Sequence, residues 1–133
     1  MKNILFIDDD PQMLRALELS LRKDATRWRM VFACGSENAL VALRRLAFDV
    51  VVSDMRMPGS DGASLLTFVR DRFPKIGRII LSGHAERTGM DRAMDVAHAF
   101  LGKPCPAGEL RLTIERVLAL TLARPDHDRA HPC

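Results

Sequence analysis

The sequence lacks the features that would assign it at once to several common classes. Its three cysteines, Cys34, Cys105 and Cys133, form no C-x-x-C pair, so neither a zinc site nor a dithiol redox site is indicated, and we expect free thiols. Lys and Arg exceed Asp and Glu by only 20 to 17, and the basic residues are scattered, so nucleic-acid binding is not implied. There is also no internal repeat.

Long hydrophobic runs are absent as well. The N-terminal stretch MKNILFIDDD has an apolar run too short for a signal peptide or a membrane span, which makes a cytoplasmic protein without membrane contact the expectation. Near the other end, His127, His131 and Cys133 lie in a polar segment that contains proline. We expect a frayed terminus there rather than a metal site.

What the sequence does contain is enough apolar material for one domain. Of its 133 residues, 47% are hydrophobic and 28% are charged, a balance that supports a single hydrophobic core. Short branched apolar runs alternate with helical patterns, which is typical of α/β proteins. The runs predict five strands covered on both faces, at residues 3–7, 30–33, 50–53, 78–82 and 99–102.

Five helical patterns separate and follow these runs. Asp10 is a candidate N-cap for the first helix because Pro11 fits the first helical position. The later helices are predicted from Ser36, from about residue 63 to Phe73, over residues 87–97, and from about residue 107. Their apolar stripes comprise Leu14, Leu17 and Leu21; Ala39, Leu40, Leu43 and Leu46; Leu65, Leu66 and Val69; Met90, Ala93, Met94 and Ala97; and Leu110, Ile114, Val117 and Leu118.

The alternation predicts the topology. Right-handed crossovers between parallel strands give a doubly wound five-stranded sheet, and the strand order 2-1-3-4-5 is the expected one for this size. Ligands of such sheets gather outside the carboxyl ends of the strands, near the switch between strands 1 and 3. The residues that follow the strands are therefore the candidate site.

Acidic residues dominate these strand ends. Asp8, Asp9 and Asp10 follow strand 1, and Asp54 ends strand 3 in the run VVVSDMRMPG, which breaks into Pro and Gly. Ser82 ends strand 4, and Lys103-Pro104 follows strand 5. Carboxylates that converge repel one another and require a cation, and oxygen ligands of this kind favour Mg²⁺.

This ordered set resembles the receiver domain of two-component response regulators. The matching pieces are IDDD at residues 7–10, the Asp54-x-x-x-Pro58-Gly59 loop with Asp61-Gly62, the Ser82-Gly83 step, and FLGKP at residues 100–104. The resemblance covers Lys2 to about Ala123. It implies a flavodoxin-like (βα)5 fold over residues 1–123, with a flexible C-terminal tail at 124–133.

By this resemblance Asp54 is the expected phosphoacceptor. Asp8 and Asp9 are expected to hold Mg²⁺ together with Asp54 and the backbone carbonyl of Arg56. Lys103 is expected to pair with Asp54 before transfer and with a phosphoryl oxygen afterwards. The family also implies that the Lys103–Pro104 peptide bond is cis.

The resemblance further implies a switch. The hydroxyl of Ser82 is expected to turn toward the phosphoryl group, and Phe100 to move into the space that is vacated. Arg56 and His84 flank the site and are expected to tune the lifetime of the phosphoryl group. The donor of the phosphoryl group would be a sensor histidine kinase or a phosphotransfer protein. The domain would pass the signal on through the face formed by helix 4, strand 5 and helix 5, which would contact a second copy or a downstream effector.

The resemblance implies a switch that is not an enzyme and whose only chemistry is its own phosphorylation and dephosphorylation. Two alternative functions remain beside it. One is a receiver-like dimerisation module that works without phosphate, although its usual mark, loss of the acids or the lysine, is missing here. The other is a Mg²⁺-dependent phosphatase of the haloacid dehalogenase class. That class expects D-x-D-x-T/V after strand 1, and residues 8–12 lack the Thr or Val.

Overall fold

A parallel five-stranded sheet forms the centre of the molecule. The computed structural model describes residues 1–57, 60–83 and 90–122. The strands have the order β2-β1-β3-β4-β5 and all neighbours are parallel, so the predicted topology is confirmed. They are β1 (Lys2–Asp8), β2 (Trp28–Cys34), β3 (Val50–Asp54), β4 (Gly77–Ser82) and β5 (Ala99–Gly102).

Helices cover both faces of this sheet. They are α1 (Pro11–Ser20), α2 (Gly35–Arg45), α3 (Gly62–Arg72), α4 (Met90–Val96) and α5 (Ala107–Leu122). Alternate residues of β1 point to opposite faces: Leu5 and Ile7 join a core cluster with α2, α3 and α4, whereas Ile4 and Phe6 join one with α1 and α5. The sheet is thereby buried on both sides, as its branched runs predict.

The predicted stripe of α4 is wrong in one position. Met94 is 61% exposed, and Val96 is buried in its place beside Ala93. The buried positions Ala93, Val96 and Ala97 follow the i, i+3, i+4 spacing of one helix face. Because Met and Val are both apolar, composition alone does not distinguish the two phases of so short a helix. The stripes of α1, α2, α3 and α5 are confirmed as buried or partly buried.

Two small elements were not predicted. A 3₁₀ helix at Arg22–Thr26 links α1 to β2, and a two-residue antiparallel pair joins Arg56–Met57 to Ser60–Asp61. The 3₁₀ helix carries Asp24, which is only 4% exposed. Its carboxylate accepts from Arg27 Nη2 at 2.8 Å and from Arg111 Nε at 2.9 Å, so it ties the 3₁₀ helix to α5.

Some sequence predictions fall outside the described residues. These concern the Pro58-Gly59 turn, His84, the first residues predicted for the fourth helix, the tail at 124–133, and its candidate ligands His127, His131 and Cys133. Among the residues that are described, no helix is both long and apolar enough to cross a membrane.

Candidate functional site

Three carboxylates converge at the carboxyl ends of β1 and β3. These strands are neighbours in a register that pairs Ile7 with Ser53, so the residues that follow, Asp8 and Asp54, lie side by side. Asp8 is 2% exposed and Asp54 4%, while Asp9 is exposed. One carboxylate oxygen from each of the three lies within 4.8 Å of the others.

Lys103 reaches this cluster from the end of β5. Its Nζ lies 2.7 Å from Asp54 Oδ1 and 3.5 Å from Asp8 Oδ2. The lysine backbone N–H donates to the Ser82 carbonyl at 2.8 Å, which fixes the chain where it leaves the sheet. The Lys103–Pro104 bond is cis, as expected from the resemblance. The Lys103 side chain is 22% exposed, so it is largely covered where its ammonium group meets the acids.

The ion pairs set the electrostatics of the cluster. Burial raises the pKa of Asp8, although the Asp10 N–H, which donates to Asp8 Oδ1 at 3.0 Å, and the Lys103 charge work against that rise. Burial alone would lower the pKa of Lys103, but its interactions with Asp54 and Asp8 outweigh burial and raise that pKa. The lysine therefore stays charged at neutral pH.

The side chain of Asp10 takes no part in this cluster, although its backbone N–H donates to Asp8. It is the N-cap of α1, where its Oδ1 accepts from Gln12 N at 2.9 Å and Pro11 occupies the first turn. The assignment of Asp10 to the cap is confirmed. The cap also fixes the direction of the chain after β1, which leaves Asp8 and Asp9 at the strand end.

The donor set fits a small hard cation. Carboxylate oxygens are the ligands that Mg²⁺ favours in proteins, and the cluster groups the carboxylates of Asp8, Asp9 and Asp54, whereas Lys103 is the one cation paired with them among the side chains that the structure describes. Arg56 lies two residues after Asp54 and pairs with Asp61 in the short antiparallel sheet. Its carbonyl as a metal ligand stays a prediction.

Gly62 packs directly against the backbone of Asp54. Its N–H donates to the Met55 carbonyl at 2.7 Å, and a Cβ at this position would overlap the Asp54 carbonyl oxygen. The Asp61-Gly62 step was noted in the sequence without a structural role. The structure shows that glycine is needed because the start of α3 approaches the end of β3 too closely for a side chain.

Asp61 links this loop to α4. It is the N-cap of α3 and accepts from Ser64 N at 2.7 Å. Arg92 of α4 lies 3.5 Å from Asp61 Oδ2 and donates to Ser64 Oγ at 2.9 Å. No sequence signal singled out Arg92, since it is one of many exposed arginines.

Ser82 and Phe100, the predicted switch residues, lie on β4 and β5. Ser82 is 7% exposed and its hydroxyl donates to the Gly83 carbonyl at 3.3 Å. Phe100 pairs with Ile80 in the sheet register and is half-buried against the core on the α4 side. The structure thus places Ser82 on β4, next to the strand that carries Asp54, and Phe100 on β5 at the edge of the sheet, and their movement stays a prediction.

Comparison with known proteins decides the family. Residues 4–115 match the family model described as the response regulator receiver domain. The chain belongs to this family. Receiver domains are the response regulator modules of two-component signalling, and the fold and the acidic strand ends described above agree with that membership.

The similar proteins are longer regulators and isolated receiver domains. The chain is 30% identical over 120 residues to the DNA-binding transcriptional regulator NtrC of Proteus hauseri, covering 87% of this chain and 24% of that protein. It is 32% identical over 111 residues to the response regulator protein FleR of Pseudomonas aeruginosa, covering 80% and 22%. This receiver chain therefore spans about a quarter of the length of these curated relatives.

Solved structures share the fold. A response regulator receiver domain protein from Clostridium thermocellum has 28% identity and a TM-score of 0.78, covering 90% of this chain and 95% of that one. The response regulator TrrA from Thermotoga maritima, solved in complex with Mg(2+)-BeF, has 24% identity and a TM-score of 0.76, covering 88% and 99%.

The burial of the Asp8 carboxylate should make the free energy of unfolding depend on pH. Because its folded pKa lies above its ordinary value of 3.8, the folded state binds this proton more tightly, and Asp8 reduces stability as pH rises from 3.8 through the folded pKa. In EDTA, Asp8→Asn should raise the free energy of unfolding by about 1 kcal/mol at neutral pH.

Urea unfolding at a series of pH values measures the effect. The difference between Asp8→Asn and the parent protein should grow with pH across that window and then level off. Asp9→Asn is the control, since Asp9 is exposed and its loss should change the profile little. A constant difference at all pH values would contradict the account of Asp8.

Proposed function

We propose that this receiver domain is a phosphorylation switch in which Asp54 accepts a phosphoryl group from the phosphohistidine of a sensor kinase or phosphotransfer protein. The observation that carries the proposal is the position of the Asp54 carboxylate. It is buried at a strand end, 2.7 Å from the Lys103 ammonium and within 4.8 Å of the Asp8 and Asp9 carboxylates.

The chemistry needs positioning more than proton transfer. An Asp54 oxygen attacks phosphorus, the P–N bond to the donor imidazole breaks, and an aspartyl phosphate results. The incoming phosphoryl group is anionic and approaches two carboxylates besides Asp54, so the reaction requires positive charge that offsets their repulsion. Lys103 supplies one positive charge at the reacting oxygen and would pair with a phosphoryl oxygen after transfer.

Asp8 and Asp9 would hold Mg²⁺ together with Asp54 and the Arg56 carbonyl. When bound, the ion neutralises charge on the transferred phosphoryl group. The excess of carboxylates over the single lysine supports this assignment. The Mg(2+)-BeF complex of TrrA, whose fold this chain shares, is consistent with it.

The phosphorylated state would be recognised by a partner through the face formed by α4, β5 and α5. A groove of about 460 Å³ lies between β5 and α5, and Leu112 and Leu120 on its α5 side are 48% and 55% exposed. Ser82 lies on β4, between β5 and the strand that carries Asp54, and Phe100 lies on β5 itself. Movement of Phe100 after phosphorylation would change the shape of the groove that it lines. A second copy of the chain or an effector in the cytoplasm would then bind the altered groove.

Labelling from a small donor tests the proposal. With Mg²⁺ and phosphoramidate or acetyl phosphate, the intact mass should show one phosphoryl group that is stable in acid and labile in base. Asp54→Asn should abolish the label. Asp10→Asn is the matched control, because Asn also serves as an N-cap and Asp10 lies outside the cluster, and this variant should label like the parent protein.

The alternatives give different outcomes. Label that survives Asp54→Asn and disappears with Asp8→Asn would point to the phosphatase. A folded parent protein that takes no label at all would point to the phosphate-independent module. Either result would overturn the proposed role of Asp54.

A further inference from the structure

A second cavity lies at the opposite end of the sheet from the acidic site. It has a volume of about 500 Å³ and opens between the C-terminal end of α2 and the segment that joins α3 to β4. Phe48 in its lining lies two residues before Val50, the first residue of β3, and β3 then extends about 13 Å to Asp54. Its floor is made of five apolar side chains: Leu43, Leu46, Phe48, Phe73 and Ile76.

The rim of this cavity is basic. Arg44, Arg45 and Lys75 are exposed there, and the described residues that line the cavity include no acid. Within the described part of the chain, none of the three forms an ion pair. The nearest acids in sequence, Asp49 and Asp71, lie within ion-pair distance of Lys2 and Arg70 instead.

Helix ends explain only part of this charge. α2 ends at Arg45 and α3 ends at Arg72, and each helix C-terminus carries the equivalent of about −0.5 charge. Two such ends offset about one of the three positive charges on the rim. Lys75 lies beyond the end of α3, so a role in balancing the helix does not account for it.

The walls of the cavity are held in place from within. Arg78 is 6% exposed, and its Nη1 donates to the Ile76 carbonyl at 3.0 Å and to the Pro74 carbonyl at 3.4 Å. On the other side, Leu46 N donates to the Ala42 carbonyl at 3.0 Å where α2 ends. A cavity built on such fixed backbone exists before any ligand arrives, which lowers the cost of binding.

We propose that this cavity binds a small anionic amphiphile, with its apolar body on the floor and its carboxylate against Arg44, Arg45 and Lys75. The volume lies within the range of small-molecule sites, about 300–1,000 Å³, and the combination of an apolar floor with a few charged groups on one side is typical of them. The site is independent of the proposed phosphorylation and uses none of its residues.

Three probes with a ten-carbon chain test the proposal: decanoate, decanol and decyltrimethylammonium, the two ionic ones below their micellar concentrations and decanol below its solubility limit. In ¹H–¹⁵N spectra of the whole chain, decanoate should shift amides of residues 43–48 and 75–77. The triple variant Arg44→Gln, Arg45→Gln, Lys75→Gln should weaken decanoate binding about tenfold, which corresponds to roughly 0.5 kcal/mol per exposed charge.

A matched triple variant serves as the control. Arg15→Gln, Arg22→Gln and Lys23→Gln remove the same net charge from exposed positions of α1 and the 3₁₀ helix and should leave decanoate binding unchanged. If the first triple variant does not fold, Ala47→Glu adds a carboxylate to the exposed rim and should weaken binding instead. Tighter binding of the cationic probe, shifts centred on another surface, or no shift at millimolar decanoate would each overturn the proposal.

Discussion

Replacing Lys103 with Met should slow phosphorylation of Asp54 by small donors about 10²- to 10³-fold, the usual loss when one preorganised electrostatic group is removed from a reacting centre. Lys103 is the cation that contacts both buried acids, at 2.7 Å from Asp54 and 3.5 Å from Asp8. Without it, an anionic donor meets three carboxylates with one fewer positive charge. Methionine keeps much of the apolar stem, so the change isolates the charge.

Intact-mass measurements at timed intervals, with saturating Mg²⁺ and phosphoramidate, give the rate. Lys75→Met is the matched control, since Lys75 is exposed at the other end of the sheet. This variant should be phosphorylated at the rate of the parent protein. Circular dichroism establishes that both variants are folded. A Lys103→Met protein that labels within a factor of two of the parent would contradict the role of the ammonium group.

The second large effect concerns Gly62. Replacing it with Ala should lower the free energy of unfolding by about 1–3 kcal/mol, because the added Cβ would overlap the Asp54 carbonyl oxygen and crowd Met55 Cα at 3.1 Å. Both neighbours are backbone atoms, so neither can turn away as a flexible side chain would. The strain falls on the residue that carries the proposed phosphoacceptor, so labelling should also slow.

Gly108 provides the control for this change. It lies in the first turn of α5, and a Cβ there would meet nothing within 4 Å. Gly108→Ala should leave stability unchanged or raise it by up to about 1 kcal/mol, because alanine costs less backbone entropy in a helix. Urea unfolding of both variants measures the contrast. Equal stability of the two would show that the start of α3 moves away from β3 at little cost.

The sequence predicted the sheet and its acidic end because both follow from local rules. The run of three valines ending in Ser53-Asp54 predicts a buried strand, and parallel strands bring their carboxyl ends to one edge. Asp8 and Asp54 therefore lie at neighbouring strand ends in the topology that the sequence predicts. The role of Asp10 as N-cap could also be predicted from neighbouring residues, since Pro11 identifies the first turn of α1.

Features that depend on packing between distant segments were not predictable in this way. Asp24 looks like any surface acid, and only the fold brings Arg111, 87 positions away, to its carboxylate. Arg78 begins a predicted strand, but its burial depends on a distant acceptor, the Val96 carbonyl at the end of α4, to which its Nε donates at 2.6 Å. The predicted apolar stripe of α4 was wrong at Met94, because Met and Val are both apolar and only packing against the sheet selects Val96.

Mapping the phosphorylated residue would show whether Asp54 alone takes the phosphoryl group at the site formed with Asp8, Asp9 and Lys103. Borohydride reduction of the protein labelled with phosphoramidate converts an acyl phosphate into an alcohol, and peptide mass spectrometry then locates it. The account predicts homoserine at position 54 and unchanged aspartate at positions 8 and 9; homoserine at either of those positions, or a label on a histidine, would contradict it.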